Sequence, residues 1–218
     1  MIADGFHNML YLIGGPPRCG KTTLAEVLAK EKSIPYFSID HVASVITPYI
    51  PERERDKAFP VRAAGAGLNY SNDLYYAKYS PEQIVDFYLQ QAETCRPGVE
   101  NFIRYALGDE HDLILEGWQI LPRFLPPLIT PENRNQLRII FLYKTDAEDI
   151  SAGLKAGEGK HDWVRRHTKD ETTFASIAKM VSRFGSYVEA ESKKHGLPAV
   201  NTDFDFKRKI ADSLKMLL

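Results

Sequence analysis

Residues 14–23 read GGPPRCGKTT, in which Gly15, four residues, Gly20, Lys21 and Thr22 satisfy the spacing G-x-x-x-x-G-K-[ST]. A loop of this kind turns back so that successive backbone N–H groups point inward at phosphate oxygens, and glycine removes the Cβ that would block the approach. The helical pattern that begins at Lys21 adds the partial positive charge of a helix N-terminus. In such a loop Lys21 reaches the β and γ phosphates of ATP and the Thr22 hydroxyl coordinates Mg²⁺. The cradle itself is the run Gly15, Pro16, Pro17, Arg18, Cys19, Gly20, Lys21, Thr22 and Thr23. A Gly/Pro-rich turn matching by chance is the alternative, and the order strand, loop, helix argues against it. Cys19 reads as filler for backbone shape rather than as a redox switch, although a helix N-terminus lowers a thiol pKa.

Two carboxylates close hydrophobic runs with strand character: Asp40 ends YFSID and Glu116 ends DLILE. Ligands of open α/β sheets bind at the carboxyl edge of the strands, where both acids fall. There an acid takes the proton of an attacking hydroxyl or holds Mg²⁺ through water, and the spacing leaves open which of the two is the base. Asp40 is also of the type that caps a following helix. Gly117 lets backbone approach a ligand, Trp118 reads as core, and Arg123 and Arg62 are candidates, with Asp40 and Gly117, for contacts to a phosphate acceptor. Arg165 and Arg166 lie in AGEGKHDWVRRHTK at 156–169. Arginine there stabilises charge on a transferring phosphate without needing deprotonation; the alternative is a solvated basic helix start. His161 and His167 lack the spacing of metal ligands, so no zinc site is read.

Short apolar runs alternate with amphipathic stretches, the pattern of a parallel sheet covered by helices on both faces. Strands are expected at Met9 to Ile13, Pro35 to Ile39, Asp112 to Leu115, Leu137 to Tyr143 and Pro198 to Asn201. Helices are expected at Lys21 to Lys30, Pro81 to Glu93, Glu171 to Lys194 and Phe206 to Leu217, the last capped by Asp203 or Asp205. Two stretches interrupt this βα repeat, 48–80 and 156–169, and read as movable covers: loops this long are uncommon and tend to be functional. Gly153, Gly157 and Gly159 offer the second one hinge freedom.

The 218 residues suit a single domain with an insertion. With 28 Lys and Arg against 29 Asp and Glu, the formal charge is −1, which argues against a dedicated nucleic-acid binder. Two cysteines do not make a disulfide scaffold, and the sequence near residue 1 lacks the basic start of a secretory signal, so a reducing cytoplasm is expected. The longest uncharged run, 5–17, is broken by Gly and Pro, and no membrane segment is read.

The motifs GGPPRCGKTTLA, SID, LILEG, the basic stretch before a long helix, and NTDFDF resemble, in order along essentially the whole chain, the P-loop small-molecule kinases. This nucleoside-monophosphate-kinase-like group includes shikimate, gluconate and adenylylsulfate kinases and zeta-toxin-like kinases; EGWQILP is similar to the E-G-x-x-x-x-P segment of 2-phosphoglycerate-kinase-like proteins. The chain departs from shikimate kinases in having Ser38 two residues before Asp40, and from GTPases in lacking N-K-x-D after the fourth strand. The resemblance implies a three-layer αβα P-loop NTPase with a five-stranded parallel sheet in order 2-3-1-4-5, a lid at 156–169, an acceptor-site insertion at 48–80, and adenine near Thr202, Asp203 and Phe204. It implies ATP-dependent phosphoryl transfer to a small-molecule acceptor, anionic or phosphorylated. A nucleotide-binding switch that transfers nothing and a polynucleotide 5′-kinase are the other readings of the same residues.

Overall fold

The structure, a computed structural model, describes residues 8–157 and 162–218. The chain runs β1 (Leu10–Gly14), α1 (Lys21–Lys32), β2 (Tyr36–Ser38), α2 (Val42–Ile46), α3 (Glu52–Ala58), α4 (Pro60–Ala66), α5 (Asn72–Lys78), α6 (Pro81–Leu107) and β3 (Leu113–Gly117). It continues with β4 (Leu137–Tyr143), α7 (Ala147–Ala156), α8 (Trp163–His167), α9 (Glu171–Lys194), β5 (Ala199–Asn201) and α10 (Phe206–Leu217). All neighbours in the sheet are parallel and the order is β2-β3-β1-β4-β5, as the resemblance implied. Alternate residues of the central strands feed two cores. Leu10, Leu12, Leu115 and Phe141 pack toward α6 and α9, while Tyr11, Ile13, Ile114, Ile140 and Leu142 pack toward α1 and α10. Helices therefore cover both faces, and the strands between them lack a polar side. Among the described residues no helix is long and apolar enough to cross a membrane.

Four expectations need correction. The stretch 48–80 is not a loop: a 3₁₀ turn, α3, α4 and α5 fill most of it, with Ser71 capping α5 through a bond from the Leu74 N–H. These helices are of seven residues each, too short for a clear apolar stripe to show in sequence; α3 and α4 pack on α6 and α5 on α9, with Phe59 and Tyr75 entering the core. Helix α6 does not stop at Glu93 but runs to Leu107 through Pro97. Pro97 is exposed, so the carbonyl it leaves unpaired meets water, and the buried stripe resumes at Val99, Ile103 and Ala106. Neither Asp203 nor Asp205 caps α10 with its side chain. Asp203 Oδ2 instead accepts bonds from the Thr145 N–H (2.8 Å) and the Asp146 N–H (3.0 Å), tying β5 to the turn that enters α7. Finally, Gly153 lies inside α7 rather than in a loop; Gly159 and His161 lie outside the described residues.

Candidate active site

The nucleotide-type loop leaves β1 and enters α1 against the carboxyl edge of the sheet, and local backbone explains its glycines. Gly15 has φ +133°, and a Cβ there would lie 1.9 Å from the Leu142 carbonyl oxygen on β4. Gly20 has φ +99° and is overlain by Phe206, whose ring a Cβ would meet at 2.6 Å. Both positions combine left-handed backbone with absent space, so only glycine serves. The buried Cys19 thiol contacts the Pro16 carbonyl oxygen at 2.9 Å, and burial raises its pKa. From the opposite side, the Thr202 hydroxyl donates to the Cys19 carbonyl (2.9 Å), so β5 braces the loop.

A cavity of about 1010 Å³ opens above the loop, at the upper end of the range for small-ligand sites. It is lined by Pro17, Arg18, Gly20, Lys21, Thr22 and Thr23 together with Asp40, Tyr88 and Trp118. Its other walls come from α7, Trp163 and the segment at Phe204 to Phe206. Lys21 is 6% exposed and its ammonium donates to the Pro16 carbonyl at 2.8 Å, which folds the side chain along its own loop. Thr22 is exposed at the first turn of α1, with its hydroxyl on the cavity.

Asp40 sits in a 3₁₀ turn just past β2. Asp40 is exposed as a residue and lines the cavity, yet protein packs closely about its carboxylate. That enclosure raises its pKa to about 6; Lys21 opposes the rise, the Glu116 carboxylate adds to it, and the Trp118 N–H, donating to Oδ1 at 3.2 Å, opposes it. The capping role open to Asp40 in sequence is thus replaced by a bond to the strand-end backbone 78 residues away. Glu116 stands opposite Ser38 in the register of β2 and β3 and is 3% exposed; it is not part of the cavity lining, though its charge reaches Asp40. Gly117 abuts Asp40: an added Cβ would lie 2.9 Å from Oδ1 and 3.1 Å from the Ile39 Cβ. Gly117→Ala is expected to push the Asp40 carboxylate aside and lower turnover by roughly 10²-fold, the cost of a misplacement of about 1 Å, in a chain that still folds. Turnover alongside a thermal melt checks this; undiminished turnover would show that Asp40 tolerates displacement.

The other sequence candidates fall outside the cavity lining. The Arg62 guanidinium donates to the Thr47 hydroxyl (2.8 Å) and the Ser44 hydroxyl (2.9 Å) between α2 and α4. Arg123 pairs with Glu93 at 2.7 Å and lies over the rings of Phe124 and Tyr187, so the hoped-for proximity to Glu116 in sequence does not become proximity to the cavity. Arg165 and Arg166 are exposed on α8, where Arg165 Nη1 donates to the Gly157 carbonyl at 2.6 Å. Trp118, read as core, is indeed 8% exposed and meets Tyr88 edge-on at 4.8 Å, yet both rings also face the cavity.

Sequence reasoning missed Lys144 and Asp149. Lys144 directly follows β4, is 8% exposed, and pairs with Asp149 of α7 at 2.6 Å on the cavity wall, near the Phe206 ring. A lysine directly after a strand at the carboxyl edge was the available signal. Among the described residues no group of three or more His, Cys, Asp or Glu has metal-holding geometry. Thr22 and Asp40 on the lining, and the buried Glu116 whose charge reaches Asp40, are oxygen donors of the type a hard cation takes.

The family model described as "ATPase family associated with various cellular activities (AAA)" matches residues 11–68, the segment holding β1, the loop, α1 and Asp40. Mevalonate-3-phosphate 5-kinase of Thermoplasma acidophilum is 24% identical over 124 residues, 56% of this chain; the chain spans 57% of that relative's length. Among solved structures, a gluconokinase from Sinorhizobium meliloti superposes with a TM-score of 0.47 at 12% identity, covering 97% of this chain and 92% of that one. A shikimate kinase from Bacteroides thetaiotaomicron gives 0.45 at 12% identity, with 96% of each chain covered. With its G-x-x-x-x-G-K-T loop between β1 and α1 and its parallel sheet in order 2-3-1-4-5, the chain has the αβα fold of P-loop NTPases, and over part of its length it is similar to a small-molecule kinase.

Proposed function

We propose that the chain is an ATP-dependent phosphotransferase acting on a small-molecule acceptor. The observation that carries the reading is Asp40: a carboxylate beside Lys21 on one cavity, its pKa drawn toward neutrality, where a base for an acceptor hydroxyl is wanted. The acceptor hydroxyl gives its proton to Asp40 as its oxygen bonds to the γ-phosphorus, and the bond from that phosphorus to the β–γ bridging oxygen breaks to release ADP. Lys21 and the inward N–H groups of the loop take up the charge on the phosphate oxygens. Mg²⁺, when bound by Thr22 and, through water, by Glu116, supplies further neutralisation of the phosphates. Arg165 and Arg166 act on the same charge from α8, which must approach the cavity to do so.

Arg62, bonded to Ser44 and Thr47 and lying over the Phe59 ring outside the cavity lining, carries no argument for an anionic acceptor; the support for one comes from a relative. The similar Thermoplasma protein is, by name, a kinase of a phosphorylated small molecule. The buried free thiols of Cys19 and Cys95 suit a reducing cytoplasm. A metabolite panel enriched in phosphorylated hydroxy acids, screened for acceptor-stimulated ADP release with magnesium ATP, tests the reading. A large stimulation by one acceptor class is the expected result; ATP binding with no stimulation across the panel would favour a nucleotide-binding switch.

A further inference from the structure

The nucleotide-binding loop and the arginine-bearing helix α8 are joined by one buried ion pair. Arg18 Nη2 meets Asp162 Oδ2 at 2.8 Å, with side-chain exposures of 28% and 5% across 144 residues of sequence. The other oxygen of Asp162 accepts the Val164 N–H (3.0 Å) and the Arg165 N–H (3.4 Å), and its carbonyl accepts the Arg166 N–H (3.1 Å). The same residue therefore holds the loop on one side and starts the helix of Arg165 and Arg166 on the other. Gly157 leaves room for the pair: a Cβ there would lie 2.9 Å from Asp162 Oδ2 and 3.3 Å from Arg18 Nη2.

Capping alone does not account for this arrangement. Asparagine, serine or threonine would cap α8 equally well, and Asp146 and Asp170 cap α7 and α9 from more exposed positions. A buried carboxylate costs free energy unless it is paired, and the partner here comes from the loop that faces the phosphates. Arg18 itself lines the cavity, and a guanidinium carries five donors, enough to meet a phosphate oxygen and Asp162 together. The far end of α8 is fastened as well. Asn72 of α5 donates to the Val164 carbonyl (3.3 Å) and the Thr168 hydroxyl (3.0 Å), and Asp73 accepts the Lys169 and Asp170 N–H groups (2.9 and 3.2 Å). A helix held at one end by the loop and at the other by α5 moves only as those anchors allow.

We propose that Asp162 is a positioning residue that carries the occupancy of the nucleotide-binding loop, through Arg18, to the placement of Arg165 and Arg166; the proposal rests on the phosphotransferase reading. The informative variants are Asp162→Asn, which keeps an N-cap and removes the ion pair, and Arg18→Ala, which leaves the cap untouched. Hydrogen exchange of residues 162–170 is measured in the full chain with and without a non-hydrolysable ATP analogue and Mg²⁺, beside calorimetric affinity for the analogue. In the wild type the exchange of this segment responds to the analogue. In each variant the response falls on the order of tenfold, and in the double variant by no more than in either single one, the non-additivity of residues acting as a pair. A response of wild-type size in either variant overturns the coupling, as does a wild-type chain that binds the analogue without any response at 162–170. A wild-type chain that does not bind the analogue overturns the phosphotransferase reading and the coupling with it.

Discussion

Asp40→Asn is expected to lower phosphoryl transfer by roughly 10²-fold or more, the scale of general-base catalysis, while ATP affinity stays within a few-fold. Asparagine keeps the size of the side chain and an oxygen for the Trp118 N–H, so the loss isolates proton transfer. The pH dependence should carry a second signature. A general base works when deprotonated, so kcat/KM of the wild type should rise with pH through about 6, and the variant should lose that limb. Stability runs the other way. Because burial lifts the folded carboxyl above its ordinary value of 3.8, Asp40 holds more proton in the folded chain than in the unfolded one between about 4 and 6. Stability therefore falls as pH rises across that window and is flat above it, and Asp40→Asn should remove this slope. Thermal melts and pH–rate profiles on both proteins decide the matter. Transfer surviving nearly intact in the variant would move the role of base to Glu116.

The second large effect is expected at Lys21. Its ammonium is buried against the loop carbonyl of Pro16, at the first position of α1, so phosphate would meet a charge already dehydrated and held in place. Charge-assisted bonds of this kind are about twice as strong as neutral ones, and Lys21→Ala should weaken ATP binding by on the order of 10²-fold. Arg18 does not make up the loss: tied to Asp162 at 2.8 Å, its guanidinium cannot move into the place that the Lys21 ammonium leaves. Equal affinities for wild type and variant in calorimetry would remove the loop from nucleotide binding.

The loop and the order of strands and helices were legible because they rest on short-range rules. Gly15, Gly20 and Lys21 act through backbone conformation and spacing within eight residues, and LRIIFLY announces a strand buried on both faces. The carboxyl edge could also be read, since Asp40 and Glu116 each end an apolar run. The helices at 52–78 were not legible. Each is two turns or less, below the length at which periodicity shows, and owes its place to tertiary contacts, α3 and α4 on α6 and α5 on α9.

What the amino-acid sequence determined by itself is thus the parallel αβα architecture, the phosphate-binding loop and the two acids at the strand ends, since each follows from local residue types. Only the tertiary structure decided which charges share the cavity. Arg123, seven residues from Glu116, is turned away to Glu93, whereas Lys144 and Asp149 arrive there from just past β4 and from α7. It also decided that Arg18 and Asp162 form a pair and that α5 grips α8, so that the two covers read as separate in sequence are fastened together. The physical reason is that a charge's partner is set by distance in space, and in a doubly wound sheet the crossovers bring together ends that lie far apart along the chain.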